Sequence, residues 1–138
     1  MTTLSKSLTF FLTIAKFQAT MTRRFDAKLG GLGLSEFLIL LELSNADNET
    51  MRRIDLAEKI GLTASGVTRL LLPMEKIGLV KTESTESDAR VRSVKMASGG
   101  RRKLEEALER AEIFCEECIP TNKLAKVESA TKTIQELV

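Results

Sequence analysis

The sequence predicts a mainly α-helical fold with a small antiparallel β wing. Two short segments with helical apolar spacing are separated only by a tight turn at residues 61–63. Two strand-like segments, 79–81 and 91–96, follow directly and enclose a charged stretch. Longer amphipathic segments flank this central region on both sides. This order is typical of a winged helix-turn-helix with additional N- and C-terminal helices.

The first short helix carries apolar residues at helical spacing, namely Ile54, Leu56, Ala57 and Ile60. Gly61 suits the left-handed conformation in which helices commonly end. Thr63 can accept a backbone N–H and so act as the N-cap of the second helix. The two helices are therefore expected to be joined by a tight turn.

The second short helix is predicted over residues 64–77, with two different faces. One stripe is expected to pack on the first helix and consists of Val67, Leu70, Leu71, Met74 and Ile77. The outer face carries Ala64, Ser65, Thr68 and Arg69. Small and hydroxyl side chains allow close approach to base edges, and Arg can reach guanine or a phosphate. We therefore predict that Ser65, Thr68 and Arg69 enter a major groove.

Pro73 lies well inside this helix. Proline removes one backbone hydrogen bond and clashes with the preceding turn, which costs about 3 kcal/mol if it is not relieved. A kink is predicted there, beyond the reading end at residues 64–69.

The segment after Gly78 is predicted to form the wing. The antiparallel strands are expected at 79–81 and 91–96, and the loop at 82–90 has no large apolar side chain to bury. Thr50 to Arg52 is expected to add a short strand beside it. Arg52 and Arg53 then begin the first short helix, where phosphate contact and simple solvation are equally plausible.

These motifs, taken in order, resemble the MarR family of bacterial transcription regulators. The matching residues are Gly33, Leu34, Ser35 and Phe37, then Leu56, Ala57, Gly61, Leu62, Thr63, Val67, Thr68, Arg69, Leu70, Glu75, Lys76, Gly78, Leu79, Val80, Asp88, Arg90 and Gly100. The resemblance covers nearly the whole chain. It implies a homodimer on double-stranded DNA, with the two recognition helices in successive major grooves of a pseudopalindrome and the wings beside the minor groove.

The resemblance also implies roles for wing residues. Asp88 is expected to steady the guanidinium of Arg90, which enters or flanks the minor groove, and Arg92 and Lys95 are expected to add phosphate contacts. An exposed ion pair of little energetic value is the alternative for Asp88 and Arg90. Two residues depart from the family pattern: Ala89 stands where a second Arg is common, and Ala97 where Thr is common.

Composition argues against an enzyme. The 138 residues include no His, Tyr or Trp, so a serine or cysteine nucleophile lacks its usual base. Two cysteines cannot complete a closed zinc site, and neither a cofactor nor a metal is predicted. Residues 51–103 hold 12 basic and 6 acidic side chains, which gives +6 against −4 for the remainder. Positive charge is therefore concentrated in the winged region, as DNA binding requires.

The N-terminal region, residues 1–34, is predicted to serve dimerisation. A helix over residues 4–29 carries two apolar stripes about 100° apart, more than packing within one chain needs. Gly30, Gly31 and Gly33 are expected to form a flexible joint. Ser35 is expected to cap the next helix, which buries Phe37, Leu38, Leu40 and Leu41 and begins the DNA-binding region at 35–100.

The C-terminal region, residues 101–138, is predicted to form two more dimerisation helices. The first, 101–118, has an apolar stripe of Leu104, Ala107, Leu108, Ala111, Cys115 and Cys118 opposite an acidic face. The cysteines have the CxxC spacing but lie near a helix C-terminus beside glutamates, so core packing is favoured over redox sensing. Thr121 or Asn122 is expected to cap the last helix, whose apolar face is Leu124, Val127, Ile134 and Leu137.

Two further expectations concern partners and location. The apolar N-terminal stretch is interrupted by Lys6 and Lys16, so no membrane association is expected and the protein is predicted to be cytoplasmic. Many members of the family release DNA on binding a small aromatic acid, which makes such an effector possible here. The absence of Tyr, Trp and His removes the usual lining for such a ligand and equally allows a member with no ligand or another trigger. The alternative function is a winged-helix module that binds another protein instead of DNA, an interpretation favoured by Pro73 and Ala89.

Overall fold

A computed structural model of the chain describes residues 2–85 and 88–138, and for residues 84, 85 and 88–91 it describes the backbone alone. The helices in these ranges are α1 (Lys6–Lys28), α2 (Leu34–Ser44), α3 (Arg53–Ile60), α4 (Ala64–Lys76), α5 (Ser98–Cys118) and α6 (Leu124–Glu136). The strands are β1 (Thr50–Arg52), β2 (Val80–Thr85) and β3 (Asp88–Met96), which form one antiparallel sheet in the order β1–β3–β2. The mainly α fold with a small antiparallel wing is therefore confirmed.

The hydrophobic core lies in the central region, between α2, α3, α4, the base of the sheet and the first half of α5. Its fully buried side chains include Leu40, Leu56, Val67, Leu71, Met74 and Val94. Within the described chain, α1 and α6 contribute no buried residue. The two outer helices therefore have apolar side chains that their own chain leaves uncovered.

The turn between α1 and α2 is built differently from the prediction. Gly30 and Gly31 have φ angles of +68° and +91°, which favour glycine. Gly33, not Ser35, is the N-cap residue of α2, and it provides no side chain. The carboxylate of Asp26 instead accepts the Leu34 N–H at 2.8 Å. The Ser35 prediction was wrong because the cap comes from α1, eight residues earlier.

The predicted core face of α2 is partly correct. Phe37 and Leu40 are buried, whereas Leu38 and Leu41 are half-buried. Ile39 and Leu43 are both fully buried and were not in the prediction. α2 is contacted by α3, β3 and α5, so it is covered on more than one side, and a single apolar stripe does not describe it.

The helix-turn-helix follows the prediction closely at its turn. Gly61 ends α3 with φ +72° and ψ 29°, in the left-handed region. Thr63 is the N-cap of α4, and its hydroxyl accepts the Gly66 N–H at 3.0 Å. Ile54 is 64% exposed because it lies about a third of a turn away from the face that carries Leu56 and Ala57.

The geometry at the C-terminal end of α4 explains why Ile77 was wrongly predicted to be in the core. The Leu79 N–H donates to the Met74 carbonyl at 2.9 Å, and the Gly78 N–H donates to the Glu75 carbonyl at 3.1 Å. This is the Schellman arrangement, in which the residue after glycine folds back on the last turn. Leu79 is therefore buried, whereas Ile77, predicted to be in the core, is 70% exposed.

Pro73 does not end the recognition helix. α4 continues through it to Lys76, and the Pro73 carbonyl accepts the Ile77 N–H at 3.2 Å. The kink remains a prediction.

The wing strands are longer than predicted. β2 extends to Thr85, β3 begins at Asp88, and a register shift occurs at Ser84 and Thr85. Most of the predicted loop at 82–90 is therefore paired backbone, while residues 86 and 87 lie outside the described chain. The predicted strand at Thr50–Arg52 is confirmed as β1, which pairs with β3.

α5 begins at Ser98, three residues before the predicted start. Gly99 and Gly100 belong to its first turn, where a Cβ at Gly100 would lie 2.2 Å from the Leu79 carbonyl oxygen. These glycines thus allow close contact between the first turn of α5 and the segment that follows α4. In the stripe, Leu104, Ala107 and Ala111 are buried as predicted, but Leu108 is 41% exposed and Phe114 is buried instead.

The last helix is not capped as predicted. Residues Thr121–Lys123 form a 3-10 turn after Pro120, and Lys123 is the N-cap of α6 without a side-chain hydrogen bond. Thr121 and Asn122 were therefore assigned wrongly, because the chain was expected to pass straight from Pro120 into an α-helix. The predicted apolar face of α6 is exposed, with Leu124 at 53% and Leu137 at 60%.

Candidate nucleic-acid interface

The N-terminal half of α4 presents its polar face to solvent. Val67 and Leu71 are buried, and this orientation leaves Ser65 and Arg69 exposed and Thr68 half-buried. The Ser65 hydroxyl lies 3.2 Å from that of Thr63, the N-cap. The three side chains predicted to enter a major groove therefore share one accessible face.

A guanidinium links this face to the wing. Arg53, the first residue of α3, donates through Nη1 to the Thr68 hydroxyl at 3.5 Å and through Nη2 to the Thr82 hydroxyl of β2 at 3.3 Å. The Thr82 N–H and hydroxyl each donate to the Glu75 carboxylate, both at 3.2 Å. The first helix, the recognition helix and the wing are thus joined by one polar network.

Arg53 is not fully satisfied in this position. Its Nε is buried and has no hydrogen-bond partner in the described part of the chain. A basic residue at a helix N-terminus is also disfavoured by the helix dipole. From the sequence, phosphate contact and solvation were equally plausible for Arg53. Its unfavourable position at the N-terminus of α3 was the signal in the sequence that Arg53 has a role other than stabilising that helix. The neighbouring Arg52 differs, since it forms an exposed ion pair with Asp55 at 2.8 Å, and this hydrogen bond raises the pKa of Arg52.

The structure describes the side chain of Arg92 in the wing but not those of Asp88 and Arg90. Arg92 is exposed on β3 opposite Ser84, on the same face of the strand as the buried Val94. Asp88 and Arg90 belong to β3, but their side chains lie outside the described part of the chain.

Lys95 does not share the surface that carries Arg92. Side chains alternate between the two faces of a strand, so Lys95 lies on the face of β3 opposite to Arg92. Lys95 pairs with Thr50 of β1. Its charge contributes to the lowered pKa of Glu49, which is due first to a hydrogen bond from Arg101. The predicted phosphate contact of Lys95 is therefore separated from the other candidate contacts.

A small pocket of about 280 Å³ lies between α1 and α5. Its apolar wall includes Phe17, Phe25 and Phe114, and the rings of Phe25 and Phe114 form an edge-to-face pair with centroids 4.9 Å apart. The remaining lining residues include Met21, Arg24, Cys115 and Cys118.

Both cysteines are free and half-buried. The pKa of the Cys115 thiol is raised by burial, by Glu112 and by Cys118, as the flanking glutamates led us to expect. A raised pKa disfavours the thiolate, so Cys115 has no sign of activation for redox chemistry.

The fold and the polar face of α4 define the class of the protein as a winged helix-turn-helix. Residues 32–91 match the sequence model of the MarR family. The chain is similar to the HTH-type transcriptional repressor YetL of Bacillus subtilis, with 29% identity over 104 residues that cover 74% of this chain and 62% of YetL. The chain is therefore similar to the MarR family over these residues.

Solved structures share the fold of this chain. The transcriptional regulator BldR from Sulfolobus solfataricus is 25% identical, with a TM-score of 0.84 and complete coverage of both chains. Sco3205, a MarR family transcriptional regulator from Streptomyces coelicolor whose structure was solved in complex with DNA, has the same fold at 15% identity, with a TM-score of 0.76 over 99% of this chain and 90% of that chain. In the described residues, no helix is both long and apolar enough to cross a membrane.

Proposed function

We propose that the protein is a sequence-specific DNA-binding transcriptional regulator that acts as a repressor. The observation that carries the proposal is the accessible face of Ser65, Thr68 and Arg69 at the start of α4, joined by Arg53 to a basic wing. The match of residues 32–91 to the MarR family model and the similarity to a repressor support it. The inferred role is not enzymatic, and the inferred location is the cytoplasm, where the DNA of a bacterial cell is accessible.

Each interface residue has a distinct proposed role. Arg69 reads a guanine edge or pairs with a phosphate, and Ser65 and Thr68 contact bases or the backbone. Arg92 pairs with a phosphate. By family resemblance, Arg90 enters or flanks the minor groove and Asp88 holds it in place.

Arg53 is proposed as an additional phosphate contact, because its cation lies between the recognition helix and the wing and forms no ion pair with a carboxylate among the described side chains. Replacing Arg53 with Met should change the free energy of unfolding by no more than about 1 kcal/mol, since it also removes the unsatisfied Nε. DNA affinity should fall about tenfold with a shallower salt dependence. Thermal unfolding and fluorescence anisotropy measure the two effects. A large loss of stability with unchanged DNA affinity would assign Arg53 a purely structural role.

The direct test of the function is selection of bound duplexes from a random DNA pool at near-physiological salt. Enrichment of a pseudopalindrome with half-sites about 10 base pairs apart is expected. Failure of folded, dimeric protein to enrich any sequence would contradict autonomous DNA reading.

The alternative is a protein-interaction module, and one observation favours it. Leu72 and Ile77, on either side of Pro73, are 53% and 70% exposed on the C-terminal half of α4. Such side chains can anchor a protein partner. A winged helix that selects no DNA sequence would make this surface the first to investigate.

We further propose that residues 1–34 and 101–138 hold a homodimer together, while residues 35–100 bind DNA. The support is the set of exposed apolar side chains on α1 and α6, which includes Leu4, Leu8, Phe10, Phe11, Phe17, Leu124, Val127, Ile134 and Leu137. A two-fold interface needs only one self-complementary surface of this kind. The boundary after residue 100 falls in the first turn of α5, so that helix connects the two regions.

Replacing Phe11 with Glu should weaken the dimer by at least about tenfold, because an unpaired charge would be buried in the interface. Phe11 is 60% exposed in the single chain, so the fold of each protomer should survive. Sedimentation equilibrium measures the dissociation constant. Thr13→Glu adds the same charge on the polar side of α1 and should leave it unchanged. Equal effects of the two substitutions would place the interface elsewhere.

A small aromatic acid is the proposed effector. The α1–α5 pocket offers phenylalanine rings to an aromatic body and the guanidinium of Arg24 to a carboxylate. The test is release of selected DNA by simple aromatic acids from the wild type but not from an Arg24→Gln variant.

A further inference from the structure

The α1–α5 pocket has a second chemical property that an aromatic acid would not use. Three of its lining residues contain sulfur: Met21 from α1, and Cys115 and Cys118 from α5. Residues three apart on a helix lie on the same side, with Cβ atoms about 5–6 Å apart. The two thiols can therefore approach a common point, and Met21 faces them across the pocket.

All three candidate ligand atoms are sulfur atoms, which are soft donors. Cysteine and methionine sulfur atoms select soft cations such as Cu(I), whereas zinc sites use four nitrogen or sulfur ligands, and calcium and magnesium sites use oxygen. Among the described residues, His, Cys, Asp and Glu form no group of three or more that could hold a metal. A hard or borderline cation thus lacks a matching site there, while a soft monovalent cation has one.

We propose that Met21, Cys115 and Cys118 form a binding site for a soft monovalent cation of the Cu(I) class. Two cysteine S–H bonds break and two metal–sulfur bonds form, with release of two protons and no change of oxidation state. The Met21 thioether donates an electron pair without losing a proton. The resulting centre carries one net negative charge, since two thiolates bind one monovalent cation.

Arg24 and the phenylalanine rings complete the site. Arg24 lines the same pocket, and its positive charge offsets the single negative charge of the loaded centre. Phe17, Phe25 and Phe114 line the same pocket, so the wall beside the sulfur atoms is mostly apolar. Because the ligands come from both α1 and α5, a bound ion would link these two helices.

The test is anaerobic titration of the reduced, full-length protein with Cu(I) buffered by a chromophoric Cu(I) chelator. One Cu(I) per chain is expected. Replacing both cysteines with serine should abolish this binding, and Met21→Leu should weaken it about tenfold, as typical for loss of a supporting ligand. Met51→Leu, the same substitution outside the pocket, should have no effect. Ag(I), which undergoes no redox change, should give the same order of affinities.

Several outcomes would overturn the proposal. Wild-type affinity in the folded double serine variant would place the ion elsewhere, and equal affinities of Met21→Leu and Met51→Leu would remove the third ligand. If a serine variant fails to fold, X-ray absorption of the loaded wild type decides, because nitrogen or oxygen ligands contradict a three-sulfur site. The double serine variant should lose Cu(I) but still release DNA on addition of an aromatic acid, so the effector and metal proposals fail separately. The titration needs no DNA, so its result is also independent of the proposed function.

Discussion

Replacing Gly100 with Ala is expected to lower the free energy of unfolding by about 3 kcal/mol. The added Cβ would lie 2.2 Å from the carbonyl oxygen of Leu79 and 2.7 Å from the sulfur of Met96. The Leu79 oxygen is a backbone atom that accepts the Ala97 N–H at 3.0 Å, so it cannot move without loss of this bond. α5 would have to shift away from the base of the wing.

Urea denaturation of the two proteins measures this effect. Ser98→Ala, an exposed change in the same turn, should alter stability by no more than about 0.5 kcal/mol. Gly99→Ala should also destabilise, because its Cβ would lie 2.7 Å from the Gly78 carbonyl oxygen. A Gly100→Ala protein as stable as Ser98→Ala would mean that α5 and the wing are less closely packed than described.

Replacing Arg69 with Ala is expected to weaken binding to a selected operator by about 1–3 kcal/mol and to relax the preference at one base pair. The reason is the loss of a guanidinium that can donate two hydrogen bonds to one base. Stability should be unchanged within about 0.5 kcal/mol, because Arg69 is exposed. Fluorescence anisotropy with single-base variants of the operator measures both the affinity and the preference.

Substitutions of two other arginines distinguish the loss of base recognition from the loss of positive charge. Arg102→Ala makes the same change of charge on an exposed position of α5 and should leave affinity and preference nearly unchanged. Arg92→Ala should weaken all sequences alike and make the salt dependence shallower. If Arg69→Ala behaved like Arg102→Ala, α4 would not be the reading helix. If it behaved like Arg92→Ala, Arg69 would contact only phosphate.

The elements that sequence predicted well depend on local interactions. Thr63 caps α4 through the N–H of Gly66, three residues later, and Gly61 ends α3 through its own backbone conformation. Both effects act within one turn and are encoded by the residue type. The short strand at Thr50–Arg52 is an exception, because it pairs with the distant β3 and was predicted from the winged helix-turn-helix pattern as a whole.

The failures depend on contacts between distant segments. Asp26 replaces Ser35 as the cap of α2 because the α1–α2 turn brings its carboxylate to the Leu34 N–H. Position 100, inside α5, requires glycine because the Leu79 carbonyl oxygen is too close for any larger residue. Neither approach is visible in local spacing.

The candidate interface shows the same division. Ser65, Thr68 and Arg69 followed from the periodicity of one helix, whereas the network of Arg53 needs α3, α4 and β2 together. A pattern within one element could therefore predict the candidate reading face but could not identify the residue that joins it to the wing.

The lack of buried residues in α1 and α6 has a consequence for protection against hydrogen exchange. Helices of 23 and 13 residues that bury none of their own side chains open at lower free-energy cost than α2 and α4, which open only with the core. In the proposed dimer, association covers the apolar faces of the outer helices and stabilises them. This stabilisation depends on protein concentration through mass action. Dilution should thus make the amides of α1 and α6 exchange faster while those of the core keep their rates. The exchange rates at the two ends of the chain would therefore depend on protein concentration, whereas those in the centre would not.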